Sequence, residues 1–174
     1  MELTDIAPLK AWMDLENQAW EKFNLQSSVF NTRGVRITDT KNWSNKICPE
    51  IKATDKGQSF ICATAHMNMA GQAEKTKAPV MEECDAGLLK IVVPIFAGNQ
   101  FLGVAGGCGL LTQDGEVDAF AVNKITDIDE NRVVALSEGI QMVSRDQAQA
   151  AVEFFIQGVN ELVRAFEGAS PQHA

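Results

Sequence analysis

Four cysteines and one histidine are the residues of this chain best suited to chemistry. They run Cys48-x13-Cys62-x21-Cys84-x23-Cys108, with His66 one helical turn beyond Cys62. Thiolate and imidazole donors suit zinc or an iron–sulfur cluster. Structural metal sites usually show closely spaced ligand pairs, which lower the entropy of closing the site, and here the only close pair is Cys62 with His66. The same cysteines fit a packing role, because free cysteine is among the most buried side chains. Nucleophilic catalysis needs a thiolate beside an imidazole, in an environment that keeps the thiolate charged. Cys62 and His66 share a helix face that reads as buried, so we read the chain as a binding protein and not an enzyme.

Two other groups are weaker. Glu82, Glu83 and Asp85 border a strand end and fit a solvated edge, since acids are mostly exposed. The run Gly103-Val-Ala-Gly106-Gly107-Cys108-Gly109 is not a dinucleotide fingerprint and opens no helix, and it lacks the lysine of a P-loop. Glycines at a strand end mark a bulge or a close backbone approach, including approach to a ligand. This run is expected to form one wall of a pocket between sheet and helices, the usual setting for a small-molecule site.

The elements that position these residues follow from composition and pattern. With 45% hydrophobic and 22% charged residues among 174, the chain has enough apolar material for a core. We read it as a single domain, 1–174, with a core at about 20–166 and a mobile tail at about 169–174. A net charge of −8 opposes nucleic-acid binding, which requires a clustered cationic surface. The N-terminus lacks the charged and apolar regions of a secretory signal, and no apolar run reaches the roughly 20 residues of a membrane span. A cytoplasmic location is expected, where cysteines remain thiols or metal ligands.

Along the chain, Asp5 to Phe23 places Leu9, Trp12, Met13, Trp20 and Phe23 on one stripe of an amphipathic helix, with Pro8 in its first turn. Ser28 to Thr38 reads as a hairpin around Arg33-Gly34. Trp43 to Ala53, interrupted by Pro49, reads as a short helix or turn. Gln58 to Lys75 reads as a helix with two apolar faces, one of Cys62, His66, Met69 and Ala73, the other of Phe60, Ala63, Met67 and Ala70. That pattern predicts burial on both sides.

Strands are expected at Val80 to Cys84, Leu88 to Phe96 and Phe101 to Gly107, the last two joined through Ala97-Gly98-Asn99-Gln100. Helices return at Asp129 to Glu138, stopped by Gly139, and after a capping box of Ser144 with Gln147. The last helix carries Val152, Phe155, Ile156, Val159, Leu162, Val163 and Phe166 before Gly168. The order predicts an α+β fold, a central antiparallel sheet with helices packed on it and amphipathic helices at both ends.

These features resemble the PocR sensory domain family of prokaryotic signalling proteins. The resemblance lies in Val29 to Ile37 around Gly34, Trp43 followed by Cys48, Cys62 opening a helix, and Cys84-Asp85-Ala86-Gly87-Leu88. It continues through Val93-Pro94-Ile95, Gly98, Phe101-Leu102-Gly103 and Gly106-Gly107, so it spans roughly Trp20 to Phe166. It implies a PAS- or GAF-like domain that senses simple hydrocarbon derivatives such as small diols, with Trp43, Cys48, Cys62 and Cys84 around the ligand pocket. Two positions depart from the family pattern: His66 stands where an acidic residue is expected and Cys108 where glutamine usually follows the paired glycines. Both are softer ligands, which suit zinc, copper(I) or an iron–sulfur cluster.

Three readings follow. The first is a sensory domain whose site is formed by Trp43, Cys48, Cys62, His66, Cys84 and Cys108, which takes a small molecule and signals to a partner protein or a fused output domain. The second is a metal or iron–sulfur redox sensor using Cys48, Cys62, Cys84 and Cys108 or His66. The third is a dimerisation module, a homodimer formed through Trp12, Trp20 and the stripe of the last helix.

Overall fold

The computed structural model describes residues 1–169. The expected opening helix is divided in two, α1 at Leu3–Ile6 and α2 at Leu9–Phe23. Proline drives the residue before it out of helical geometry. Ala7 is accordingly extended (φ −152°, ψ 150°), and Pro8 caps α2 instead of lying inside it. Leu9, expected on the apolar stripe, is exposed as a result, while Trp12 is fully buried and its indole N–H donates to the Leu3 carbonyl at 3.1 Å.

Strand β1 spans Gln26–Asn31. The chain turns at Gly34, which has a φ of +71° that side chains rarely adopt. The returning limb makes only one bridge, Phe30 with Arg36, so the expected hairpin has one full strand. The short helix α3 (Ile47–Lys52) follows. The segment expected to be one helix from Gln58 starts as a π-helix, Gly57–Ala63, and continues as α4, Thr64–Thr76. Its second apolar face is only partly covered: Phe60 is 61% and Met67 54% exposed, while Ala70 packs half-buried against the cluster of Met69 and Val92. Periodicity showed two apolar faces, but the largest side chains of the second, Phe60 and Met67, stay exposed.

Strands β2 (Val80–Glu83), β3 (Leu89–Ala97) and β4 (Gln100–Thr112) form the rest of an antiparallel sheet ordered β1-β4-β3-β2. A fifth strand, β5 (Met142–Val143), adds to β4 in parallel. Helix α5 (Ala119–Thr126) was not expected from the sequence. Its apolar pattern is short, and its start depends on Asp118, whose carboxylate accepts from the Ala121 N–H at 2.8 Å. Helix α6 is Glu130–Ser137. Helix α7 is Arg145–Ala169, and its capping box is formed: the Gln147 N–H donates to Ser144 Oγ at 3.2 Å and the Ser144 N–H to Gln147 Oε1 at 2.8 Å. Ala169, expected to open a mobile tail, ends this helix; the remainder of that tail, 170–174, lies outside the described residues.

The architecture is α+β, with helices on both faces of the sheet. Alternation along β3 sorts the layers. Leu89, Ile91, Val93 and Ile95 pack with Trp12, Leu15, Phe155 and Val159 beneath α1, α2 and α7. Val92 faces the opposite way, with Val80 and Val104, against Met69 and Ala73 of α4. A third cluster joins α3 and the π-helix to α5 and α6 through Ile47, Ile51, Ile61, Val122 and Val133. Of the residues proposed for dimerisation, Trp12, Val152, Phe155, Val159 and Val163 are buried within the chain, whereas Trp20 is only half-buried.

Candidate ligand cavity

Sheet register builds the floor of a cavity on the α4 side. Side chains opposite one another in an antiparallel ladder share a face. One row crosses the sheet as Gln26, Cys108, Lys90, and the next as Ser28, Gly106, Val92. The third row is Phe30, Val104, Pro94. In the middle row Gly106 contributes no side chain and Ser28 only a small one, so space remains above the sheet. The π-helix and α4 roof that space with Ile61, Cys62 and His66, and α3 closes one side with Cys48, Ile51 and Lys52. Cys84, Ala86 and Leu88, from the β2–β3 connection, complete the wall. The cavity measures about 220 Å³, below the roughly 300–1,000 Å³ of clefts for drug-sized ligands, and has room only for a smaller molecule.

Five of the six residues singled out from the sequence line this space: Cys48, Cys62, His66, Cys84 and Cys108. Trp43 does not. It is exposed and lies beneath Lys52, whose ammonium sits 5.4 Å from the ring centroid. Trp43 thus touches the cavity only through a lysine that lines it. The run from Val104 to Cys108, expected as a wall, belongs to the lining.

Two of the four sulfurs accept from neutral amides. Gln26 Nε2 donates to Cys108 Sγ at 3.3 Å, and Asn45 Nδ2 donates to Cys48 Sγ at 3.3 Å. Asn45 also ties the start of α3 to β4, accepting from the Cys48 N–H at 2.8 Å and donating to the Gly109 carbonyl at 2.7 Å. Burial pushes the Cys48 thiol far above its usual range, and the nearby Cys108 adds to this. Burial raises Cys62 to about 11, with Lys52 opposing, and raises Cys84 as well. At neutral pH these three thiols are protonated, a poor state for nucleophilic attack. Among the described residues, no three His, Cys, Asp or Glu side chains group in a way that holds a metal ion. All four cysteines line the cavity, but among the described residues they do not form the three-donor group that zinc, copper(I) or an iron–sulfur cluster would require.

His66 is the most unusual lining residue. It is 5% exposed and its ring lies 3.9 Å from that of Phe30, centroid to centroid, yet Nε2 has no hydrogen-bond partner. Burial lowers its pKa to about 4, with Lys90 and Lys52 adding repulsion, so the ring is neutral at pH 7. Leaving a polar atom unpaired away from water costs about 1–3 kcal/mol.

Sequence reasoning missed the cations. Arg36, Lys52 and Lys90 line the cavity. Lys90 left a readable signal, one charge within the apolar run Leu88 to Phe96 at the alternation parity of Val92. Arg36 is engaged behind the cavity by Glu16 of α2, which is only 1% exposed: Nη2 lies 3.2 Å from Glu16 Oε2 and donates to Thr40 Oγ1 at 2.7 Å. The hydroxyls of Thr38 and Thr40 also donate to that carboxylate.

A family model described as the sensory domain found in PocR matches residues 5–165. No curated protein matches the chain, and no solved structure does. Among the described residues, no helix is long and apolar enough to cross a membrane.

Proposed function

The chain belongs to the PocR sensory-domain family, and from that membership we propose that it is a single ligand-binding sensory domain whose receptor site is the cavity between the sheet and α4. The observation that carries this reading is His66, a buried and unpartnered polar side chain on the wall of a space about 220 Å³ in volume. In this reading the ligand contacts His66 and the thiol-bearing wall of Cys48, Cys62, Cys84 and Cys108, with Trp43 acting through Lys52. This reading is of binding, supported by three thiols held protonated, a poor state for nucleophilic attack. Four free thiols suit a reducing compartment such as the cytoplasm.

A sensor must also report occupancy, which requires the ligand to prefer one of two arrangements. Arg36 supplies a physical connection, since it lines the cavity and holds Glu16 on α2, a terminal helix on the far face of the sheet. A shift of α2 or α7 would offer a partner protein or a fused output domain a changed surface. The experiment is thermal unfolding of the full chain in the presence of small alcohols, diols, amides and acids. A bound compound at a hundredfold excess over its Kd should stabilise the protein by about 2.7 kcal/mol. Ser28→Leu, which fills the floor beside Gly106, should abolish that gain while the variant remains folded. If Ser28→Leu retains full ligand stabilisation, the cavity is not the receptor site.

A further inference from the structure

The charges around the cavity are one-sided. The chain carries 23 acidic residues against 15 lysines and arginines, yet among the described residues no carboxylate lines the cavity, whereas Arg36, Lys52 and Lys90 do. Glu16 neutralises Arg36 from behind. Neither Lys52 nor Lys90 joins an ion pair among the described residues; Glu82 stands opposite Lys90 in the β2–β3 register without pairing with it. Both lysines line the cavity, and the Lys52 ammonium also lies over the exposed Trp43 ring. Two half-buried lysines without an ion-pair partner among the described residues, beside apolar walls, form a site that favours negative charge.

Resting on the receptor reading above, we propose that the ligand is a small organic carboxylate, its anionic end drawn to Lys52 and Lys90 and its short body lying against Phe30 and the sheet. His66, whose Nε2 has no partner, lies on the same wall. A phosphate ester fits less well. Phosphate recognition favours several convergent N–H donors, and the guanidinium that would supply them is taken by Glu16. A neutral diol would leave both cations without an anion.

The test is calorimetric titration of the full chain with propionate, butyrate, lactate and pyruvate. Each is compared with its matching amide, and with 1,2-propanediol and propyl phosphate. At least one acid should bind about tenfold or more tighter than its own amide, the scale of one charge-assisted contact. Lys90→Met, which keeps the apolar stem, should weaken acid binding about tenfold more than it weakens binding of the matching amide. Amides or the diol binding as tightly as the acids would overturn the carboxylate assignment while leaving the receptor reading intact, and so would tighter binding of propyl phosphate. Silence of every probe would count against both. Should Lys90→Met fail to fold, the comparison of acids with amides on the unmodified chain decides the matter.

Discussion

Arg36 and Glu16 join the cavity to the opposite face of the sheet, with Nη2 of one 3.2 Å from Oε2 of the other. Glu16 is enclosed beneath α2, and its carboxylate is satisfied by one guanidinium and the hydroxyls of Thr38 and Thr40. Removing one partner of a buried pair costs far more than the pair contributes, because the other charge is left uncompensated. Arg36→Ala is expected to destabilise the chain by roughly 3–5 kcal/mol in urea unfolding. A loss under about 1 kcal/mol, the scale of an exposed ion pair, would mean that Glu16 reaches water.

His66 gives stability a defined pH dependence. Its pKa is about 4 in the folded chain against 6.5 for a free histidine. Below pH 6.5 the unfolded chain takes up a proton that the folded chain refuses. The contribution is therefore complete above pH 6.5, declines as pH falls, and is lost below about 4. The slope cannot exceed about 1.4 kcal/mol per pH unit from one group. His66→Phe, which keeps a ring against Phe30, should flatten stability between pH 6.5 and 5, and parallel curves for the two proteins would contradict the assignment.

Thiol labelling reports the state of the wall. Cys62 is raised from 9.0 to about 11, so at pH 8 its thiolate fraction falls roughly a hundredfold, and its reaction rate with iodoacetamide should fall on the same scale. In guanidinium chloride all four thiols should label at the rate of free cysteine. Mass spectrometry of the native protein showing rapid Cys62 modification would place that sulfur in an open or cationic environment instead.

Gly106 tests how closely β3 and β4 approach. A Cβ at this position would lie 2.0 Å from the Ile91 carbonyl oxygen, a contact no side-chain rotation relieves. Gly106→Ala should cost about 1–3 kcal/mol by overpacking and weaken any cavity ligand by displacing the floor. Gly98→Ala is the comparison for the cavity, since open space surrounds that turn, although its φ of +55° carries its own strain. Unchanged stability in Gly106→Ala would show that the strands part without cost.

Local pattern revealed a large part of this molecule. Leu88 to Phe96 and Phe101 to Gly107 have the apolar, β-branched character of central strands, and β3 and β4 occupy that region. Ser144 with Gln147 marked the start of α7 because a capping box is a contact between neighbours in the chain. Pro8 was read as a tolerated first-turn residue, whereas its effect on Ala7 divides the helix. Phe60 and Met67 show the limit of periodicity, which counts apolar faces but cannot say which one another element covers.

By itself, then, the sequence determined the α+β class, the positions of the main strands and the resemblance that led to a sensory family. It also singled out five of the residues that surround the cavity. Tertiary structure alone decided that Gln26, Cys108 and Lys90 stand in one row, that Lys52 reaches the same space from α3, and that Glu16 withdraws Arg36 from it. The physical reason is range. Helix and strand preferences arise from neighbours a few residues apart, whereas register and packing join residues separated by dozens of positions, and the charge of a cavity is a property of that joining.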